Sequence, residues 1–214
     1  MFNSLQRICL LLLVTSLMGC AARVVPDTPD KISSAKLDEN TGILVGSFTH
    51  LPDREEHVSH AVFFQREGGE ENEYEIMSFH GNDVLGLYPK DDFVEQSRKG
   101  LLFAFMLPAG KYHFVSYSLE SGAGHWKPTR PFSVPFTVEA QKVNYVGDIQ
   151  LDVREGTDMF GLRTAKGGTF HFINAKEQDM PLLKKKYPDI QWNNLVTTVP
   201  NSSREYSDQA VASE

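Results

Sequence analysis

"LLFAFMLPAGKYHFVSYSL", residues 101–119, indicates two β-strands joined by a tight turn. Aromatic and aliphatic residues dominate both halves, as is typical of strands that face a core. Between them, Pro108 presets one backbone angle of the turn, and Gly110 suits a turn angle that is costly for other residues. Tyr112 then begins the second strand against the core. This stretch therefore predicts a chain that folds mainly as β-sheet.

The same sequence pattern continues on both sides of this stretch. Short β-rich segments alternate with turn segments such as "REGGEEN", "EAQK" and "AKGG". No helical pattern of a dozen residues separates these segments, which favours an antiparallel β-sandwich of about seven to nine strands over a parallel α/β sheet. One short C-terminal helix is expected, with Asp179 as its N-cap, Pro181 in its first turn and its end before Pro188. The further strands are predicted at 43–49, 59–66, 73–79, 132–138, 143–151, 159–164 and 169–174.

A resemblance supports the sandwich. Leu107-Pro108-Ala109-Gly110-Lys111-Tyr112 resembles the turn-and-strand signature of prealbumin-like and carboxypeptidase-regulatory-like β-sandwich modules, although alanine stands where that pattern often has another turn residue. Such modules in exported proteins are mostly non-catalytic. The resemblance therefore implies a binding or scaffold module.

The N-terminus predicts export. Arg7 precedes the apolar run of residues 8–14, which is too short to cross about 30 Å of hydrocarbon and has the layout of a signal peptide. The following Leu17-Met18-Gly19-Cys20 resembles the lipobox of bacterial lipoproteins. That resemblance implies cleavage before Cys20 and attachment of acyl chains such as palmitate to it, whereas the alternative is an ordinary signal peptide whose cleavage site contains a cysteine.

The residues directly after the lipobox indicate which membrane the protein is attached to. Ala21 and Ala22 stand where an aspartate favours retention in the inner membrane of the lipoproteins that this chain resembles. We therefore expect a lipid-anchored protein of the cell envelope at the outer membrane, on either its periplasmic or its surface face. The predicted organisation is a signal peptide (1–19), a lipidated N-terminus and flexible tether (20–42), a β-sandwich domain (43–175), a helix and peripheral segment (176–199) and a disordered tail (200–214).

The net charge and the cysteine content of the chain limit the kinds of partner that it is expected to bind. The formal net charge of −7 argues against nucleic acid, because non-specific binding to nucleic acid depends on phosphate neutralisation. Cys9 leaves with the signal peptide and Cys20 takes the lipid, so the mature chain is expected to lack a disulfide. Its expected partners are the membrane, through the lipid, and an envelope protein or cell-wall glycan. No cofactor is expected.

The best metal-binding candidates are His50, His57 and His60, which flank the acidic stretch "PDREE". Imidazole and carboxylate groups suit zinc and other divalent ions. These histidines define the alternative function, a metal-dependent or other hydrolase. A solvated acidic loop whose histidines flank strand ends explains the same pattern.

The loop "SGAGHWKPTR", residues 121–130, is the second candidate site. In it, His125 and Trp126 stand beside Lys127 and Arg130, and an exposed indole could stack on a sugar ring or anchor a protein. The alternative is that Trp126 folds over the open end of the sandwich. With no catalytic motif in the chain, the sequence favours a non-catalytic binding or scaffold module held to the membrane by lipid on Cys20.

Overall fold

The computed structural model describes residues 23–51, 58–80, 90–121, 124–157, 159–161, 163–200 and 210–213. The described chain is mainly β, as predicted, and contains one α-helix, α1 (Lys176–Lys186). Within these ranges, no helix combines the length and apolar character that a membrane span requires. In chain order, the strands are β1 (Thr41–His50), β2 (Val58–Arg66), β3 (Tyr74–His80), β4 (Phe93–Val94), β5 (Lys99–Pro108), β6 (Gly110–Ser121), β7 (Gly124–Trp126), β8 (Val134–Val138), β9 (Val143–Thr157), β10 (Arg163–Ile173), β11 (Leu195–Thr197) and β12 (Val211–Ser213).

The strands form two sheets. The larger has the order β12-β10-β9-β1-β5-β4, with β11 beside β9, and the smaller has the order β3-β2-β6-β7, with β8 beside β6. In the larger sheet, β1 pairs antiparallel with β5 but parallel with β9, so the predicted antiparallel arrangement is wrong for this pair of strands. The turn at Pro108 to Gly110 carries the chain from β5 in one sheet to β6 in the other. The stretch that best predicts the fold therefore connects its two sheets.

Aromatic residues from both sheets meet in one core cluster. Phe64 of β2 lies at its centre, with ring centroids 4.8 Å from Tyr74, 5.2 Å from Phe105 and 5.5 Å from Phe114. Phe105 belongs to the larger sheet, whereas the other three belong to the smaller one. Burying rings of this size contributes about 1.5–3 kcal/mol each, so this cluster is a main source of cohesion between the sheets.

The larger sheet is buried on its second face as well. Alternate residues of β1 reach opposite faces, so Leu44 joins the core between the sheets, whereas Val45 joins a second cluster with Leu183 of α1 and Tyr187, which follows the helix. The Tyr187 hydroxyl donates to the carbonyl of Leu102 at 3.2 Å. The helix thus covers the outer face of the larger sheet, which explains why β1 lacks an alternating polar pattern.

The sequence prediction differs from the structure at β10. The break predicted between strands at 159–164 and 169–174 is wrong, because residues 163–173 form one strand, and "AKGG" is a bulge within it. Its pairing register with β9 shifts between Ala165 and Gly168. A bulge adds residues to one strand without ending the ladder, so turn-forming residues need not separate two strands.

Both ends of the described chain pack onto the sheets. In the predicted tether, the Val24 amide donates to the Glu73 carbonyl at 2.9 Å, the Asp27 amide donates to the Ala104 carbonyl at 2.8 Å, and Ile32 is buried. In the predicted tail, β12 pairs with β10. Residues 1–22, which include Cys20 and the predicted signal peptide, lie outside the described residues, as do 201–209 and 214.

Candidate functional site

Trp126 lies at the edge of the smaller sheet. It belongs to β7, pairs with Leu119 of β6 and is partly buried against the core. The Tyr117 hydroxyl donates to the carbonyl of Lys127 at 3.1 Å, which fixes the chain just after the indole. His125, the neighbouring candidate, is exposed, and its Nδ1 lies 3.1 Å from Glu120 Oε1. The structure thus packs Trp126 at the sheet edge against the core and places His125 on the solvent side of the strand.

The absence of a side chain at two glycines makes room for the indole of Trp126. A Cβ at Gly124 would lie 2.2 Å from Trp126 Cη2, so the six-membered ring covers this glycine. On the other sheet, a Cβ at Gly167 would lie 3.5 Å from Trp126 Cδ1 and 3.0 Å from Arg154 Nη2. Gly167 also has φ of +106°, which L-residues with side chains rarely adopt. The bulge in β10 therefore brings its backbone against Trp126.

Trp126 lines a cleft of about 240 Å³ between the two sheets. Rings of Tyr117 and Phe170 line it, and Lys127 and Arg154 contribute its cations. Among the described residues that line this cleft, none is acidic. Neither cation forms a salt bridge with any residue in the described ranges. We call this site the Trp126 cleft; it combines aromatic surface with positive charge.

The structure brings together two of the three candidate metal ligands. His50 of β1 and His60 of β2 are both buried, and their ring centroids lie 5.6 Å apart. The His60 ring also contacts Phe48, with centroids 4.8 Å apart. His57 lies outside the described residues, and the described ones contain no group of three His, Cys, Asp or Glu side chains suited to a metal ion.

The structure contains a buried ionic cluster that was not predicted from the sequence. Arg98 Nη1 donates to Asp179 at 2.5 Å and to Asp148 at 3.3 Å, and all three side chains are at most 3% exposed. The Asp179 carboxylate also accepts hydrogen bonds from the hydroxyls of Tyr145, at 2.6 Å, and Ser47, at 2.8 Å. A charged residue within the apolar segment "VNYVGDIQL" was the available signal, since buried charges require partners.

This cluster overturns the role predicted for Asp179. The helix begins at Lys176 rather than after Asp179, with Ala175 at its cap position and no capping side chain. Asp179 instead lies in the first turn and directs its carboxylate into the sheet, and Pro181 lies inside the helix rather than in its first turn as predicted. A negative charge there also interacts favourably with the positive end of the helix dipole.

The cluster shifts the protonation of its members. Burial, followed by the negative charge of Asp179, raises the pKa of Asp148 to about 6. Burial alone would lower the pKa of Arg98, but its hydrogen bond to Asp179 and the charges of both aspartates raise it. Burial also raises the pKa of Tyr145, next to Asp179. With solvent excluded, the cluster serves chiefly to hold α1 on the larger sheet.

Comparisons with known proteins identify no family. No family model matches the chain, and no curated protein matches it. Among solved structures, the chain is similar to a leucine-rich repeat protein from Bacteroides thetaiotaomicron, with 16% identity over 52% of this chain and a TM-score of 0.27. The match spans only 14% of that protein.

Proposed function

We propose that this protein is a lipid-anchored cell-envelope module that binds a ligand non-catalytically in the Trp126 cleft. In this proposal the two sheets form a β-sandwich, Cys20 carries the lipid, and the membrane is the outer membrane. The ligand is an envelope protein or a cell-wall glycan. The observation that carries the proposal is an aromatic, positively charged cleft whose cations have no partner acids among the described residues.

The docked N-terminal segment supports a short connection to the membrane. Val24 bonds to the edge of the smaller sheet on both sides of Tyr74, accepting from the Glu75 amide at 2.9 Å and donating to the Glu73 carbonyl at 2.9 Å. Cys20 precedes Val24 by four residues. At 3.3–3.6 Å per residue, these could extend by at most about 14 Å, so the proposed anchor keeps the domain close to the bilayer.

The position of the cleft along the strands suits such an anchor. Val24 lies beside Tyr74, which pairs through Phe64 with Phe114 on β6. Trp126 pairs with Leu119, five residues further along the same strand. At about 3.3 Å per residue, the cleft lies some 17 Å beyond the level at which the N-terminus enters. A ligand could therefore reach the cleft of the tethered protein from the side away from the membrane.

Recovery of partners from cell envelopes tests this proposal. The tagged full chain is purified from membranes together with its bound proteins and glycans, alongside Trp126→Ala and Trp192→Ala. Trp192 is the matched control because it packs on the outer cluster, beyond the larger sheet. We expect Trp126→Ala to lose a partner that the wild type and Trp192→Ala retain. The same recovery with all three proteins would contradict the proposal.

The alternative of a metal-dependent hydrolase at His50, His57 and His60 stays a prediction from the sequence. The structure shows His50 and His60 as a buried pair. Because His57 lies outside the described residues, that pair alone does not favour a metal site over a packed core.

A further inference from the structure

We infer that the Trp126 cleft selects a sugar that carries a carboxylate group. This inference rests on the proposed function and assigns it a class of ligand. In the inferred complex, Arg154 and Lys127 hold the carboxylate, and the ring of the sugar packs on the indole.

The distribution of charge points to an anionic ligand. The whole chain has 28 acidic and 21 basic residues, yet the described lining of the cleft contains two cations and no acid. Lys127 follows Trp126 on the smaller sheet, and Arg154 belongs to β9 of the larger sheet. The two cations therefore approach from different sheets. A guanidinium can hold a carboxylate through two parallel hydrogen bonds, and an ammonium adds a point charge.

The aromatic lining points to a ring-shaped ligand. Trp126 is held in one orientation by its contacts with Gly124 and Gly167, so its surface is formed before a ligand arrives. The Tyr117 hydroxyl donates to the carbonyl of Lys127, and the residue is only 5% exposed, so Trp126 provides most of the aromatic surface open to a ligand. Aromatic rings provide large, rigid contact surfaces with little loss of conformational entropy.

The size of the cleft favours one sugar ring over a peptide. Its volume of about 240 Å³ lies just below the roughly 300–1,000 Å³ of pockets for drug-sized ligands. An acidic peptide of several residues would extend beyond this space. It would also need partners for each of its own backbone amides and carbonyls, which the lining of the cleft does not line up as a strand edge would.

A matched pair of sugars tests the inference. The probes are N-acetylmuramic acid and N-acetylglucosamine, because the first carries a lactyl carboxylate that the second lacks. Calorimetric titration of the detergent-solubilised full chain should show at least about tenfold tighter binding of the acid.

Variants of the two cations test which residues hold the carboxylate. Arg154→Gln and Lys127→Gln should each weaken binding of the acid about fivefold or more. They should weaken binding of the neutral sugar less than binding of the acid, because the neutral sugar has no carboxylate for the two cations to hold. Lys111→Gln, at an exposed lysine near the start of β6, is the control and should bind as the wild type does.

The outcomes separate this inference from the proposed function. Equal affinity for both sugars, lost in Trp126→Ala, would overturn the carboxylate selection but leave the cleft as the binding site. Tighter binding of an acidic tripeptide than of either sugar would overturn the sugar assignment. Binding of neither sugar would overturn the inference alone, provided that envelope partners are still recovered through Trp126.

Discussion

Asp148 should make the protein less stable as the pH rises from about 4 to 7. Its pKa is raised from an ordinary 3.8 to about 6 in the folded protein. The folded state therefore holds this proton more tightly than the unfolded state does. The stabilising contribution is fully present below about pH 4 and is lost as the pH rises through 6. A difference of about two pKa units corresponds to a loss of about 3 kcal/mol.

Asp148→Asn isolates this contribution, because asparagine has nearly the same shape and does not ionise in this range. Urea unfolding of the full chain at pH values from 4 to 8 gives the free energy of unfolding of both proteins. Relative to the wild type, we expect the variant to gain about 3 kcal/mol between pH 4 and 7. Asp189→Asn, at an exposed position, is the matched control. If the difference between Asp148→Asn and the wild type stays constant with pH, the reasoning fails.

Three further variants test other parts of the structure. Asp179→Asn should lower the free energy of unfolding at pH 7 by about 3 kcal/mol in urea, since Arg98 loses its closest buried counter-ion; wild-type stability would contradict this role. Gly167→Ala should cost about 1 kcal/mol or more, because its φ of +106° disfavours a side chain, and an unchanged melting temperature would refute that argument. Cys20→Ser should leave the domain folded but release it from membranes in a high-salt wash, whereas retention on the membrane would contradict the proposed lipid anchor.

The long strands were predictable because each carries its own signal. Residues 43–49 and 101–107 are apolar over a full strand length, and these segments fall within β1 and β5. The short strands lack such a signal. β7 and β11 have three residues each, and they exist because a neighbouring strand offers free hydrogen-bonding groups. Their positions depend on tertiary structure that local sequence does not contain.

The ionic cluster was beyond prediction for a related reason. Arg98 is 50 residues from Asp148 and 81 residues from Asp179 in the sequence. Asp179 also satisfies the local pattern of a helix cap, which supplied a plausible but wrong role. Asp179 prefers a helix cap locally, but in the folded protein it pairs with the buried cation Arg98, which only the folded sheet brings close.

In the Trp126 cleft, too, some residues could be identified from the sequence and others only from the structure. Trp126 could be named as a candidate from the sequence, because a tryptophan between glycine and proline residues is conspicuous. Arg154 could not be, since it comes from a strand of the other sheet, and its guanidinium and the indole meet only in that both lie near Gly167 of the bulge. The sequence thus indicated the aromatic half of the cleft, and the packing of the sheets supplied much of its positive charge.

The two tryptophans allow the most direct test of the Trp126 cleft. The chain contains only Trp126 and Trp192, so its NMR spectrum has two indole N–H signals, one from the cleft and one from the outer cluster. Titration of the full chain with solubilised cell-wall glycan fragments should shift the Trp126 signal progressively and leave the Trp192 signal in place. A shift of Trp192 alone, or no shift of either signal at saturating fragment concentrations, would contradict binding of glycan in this cleft.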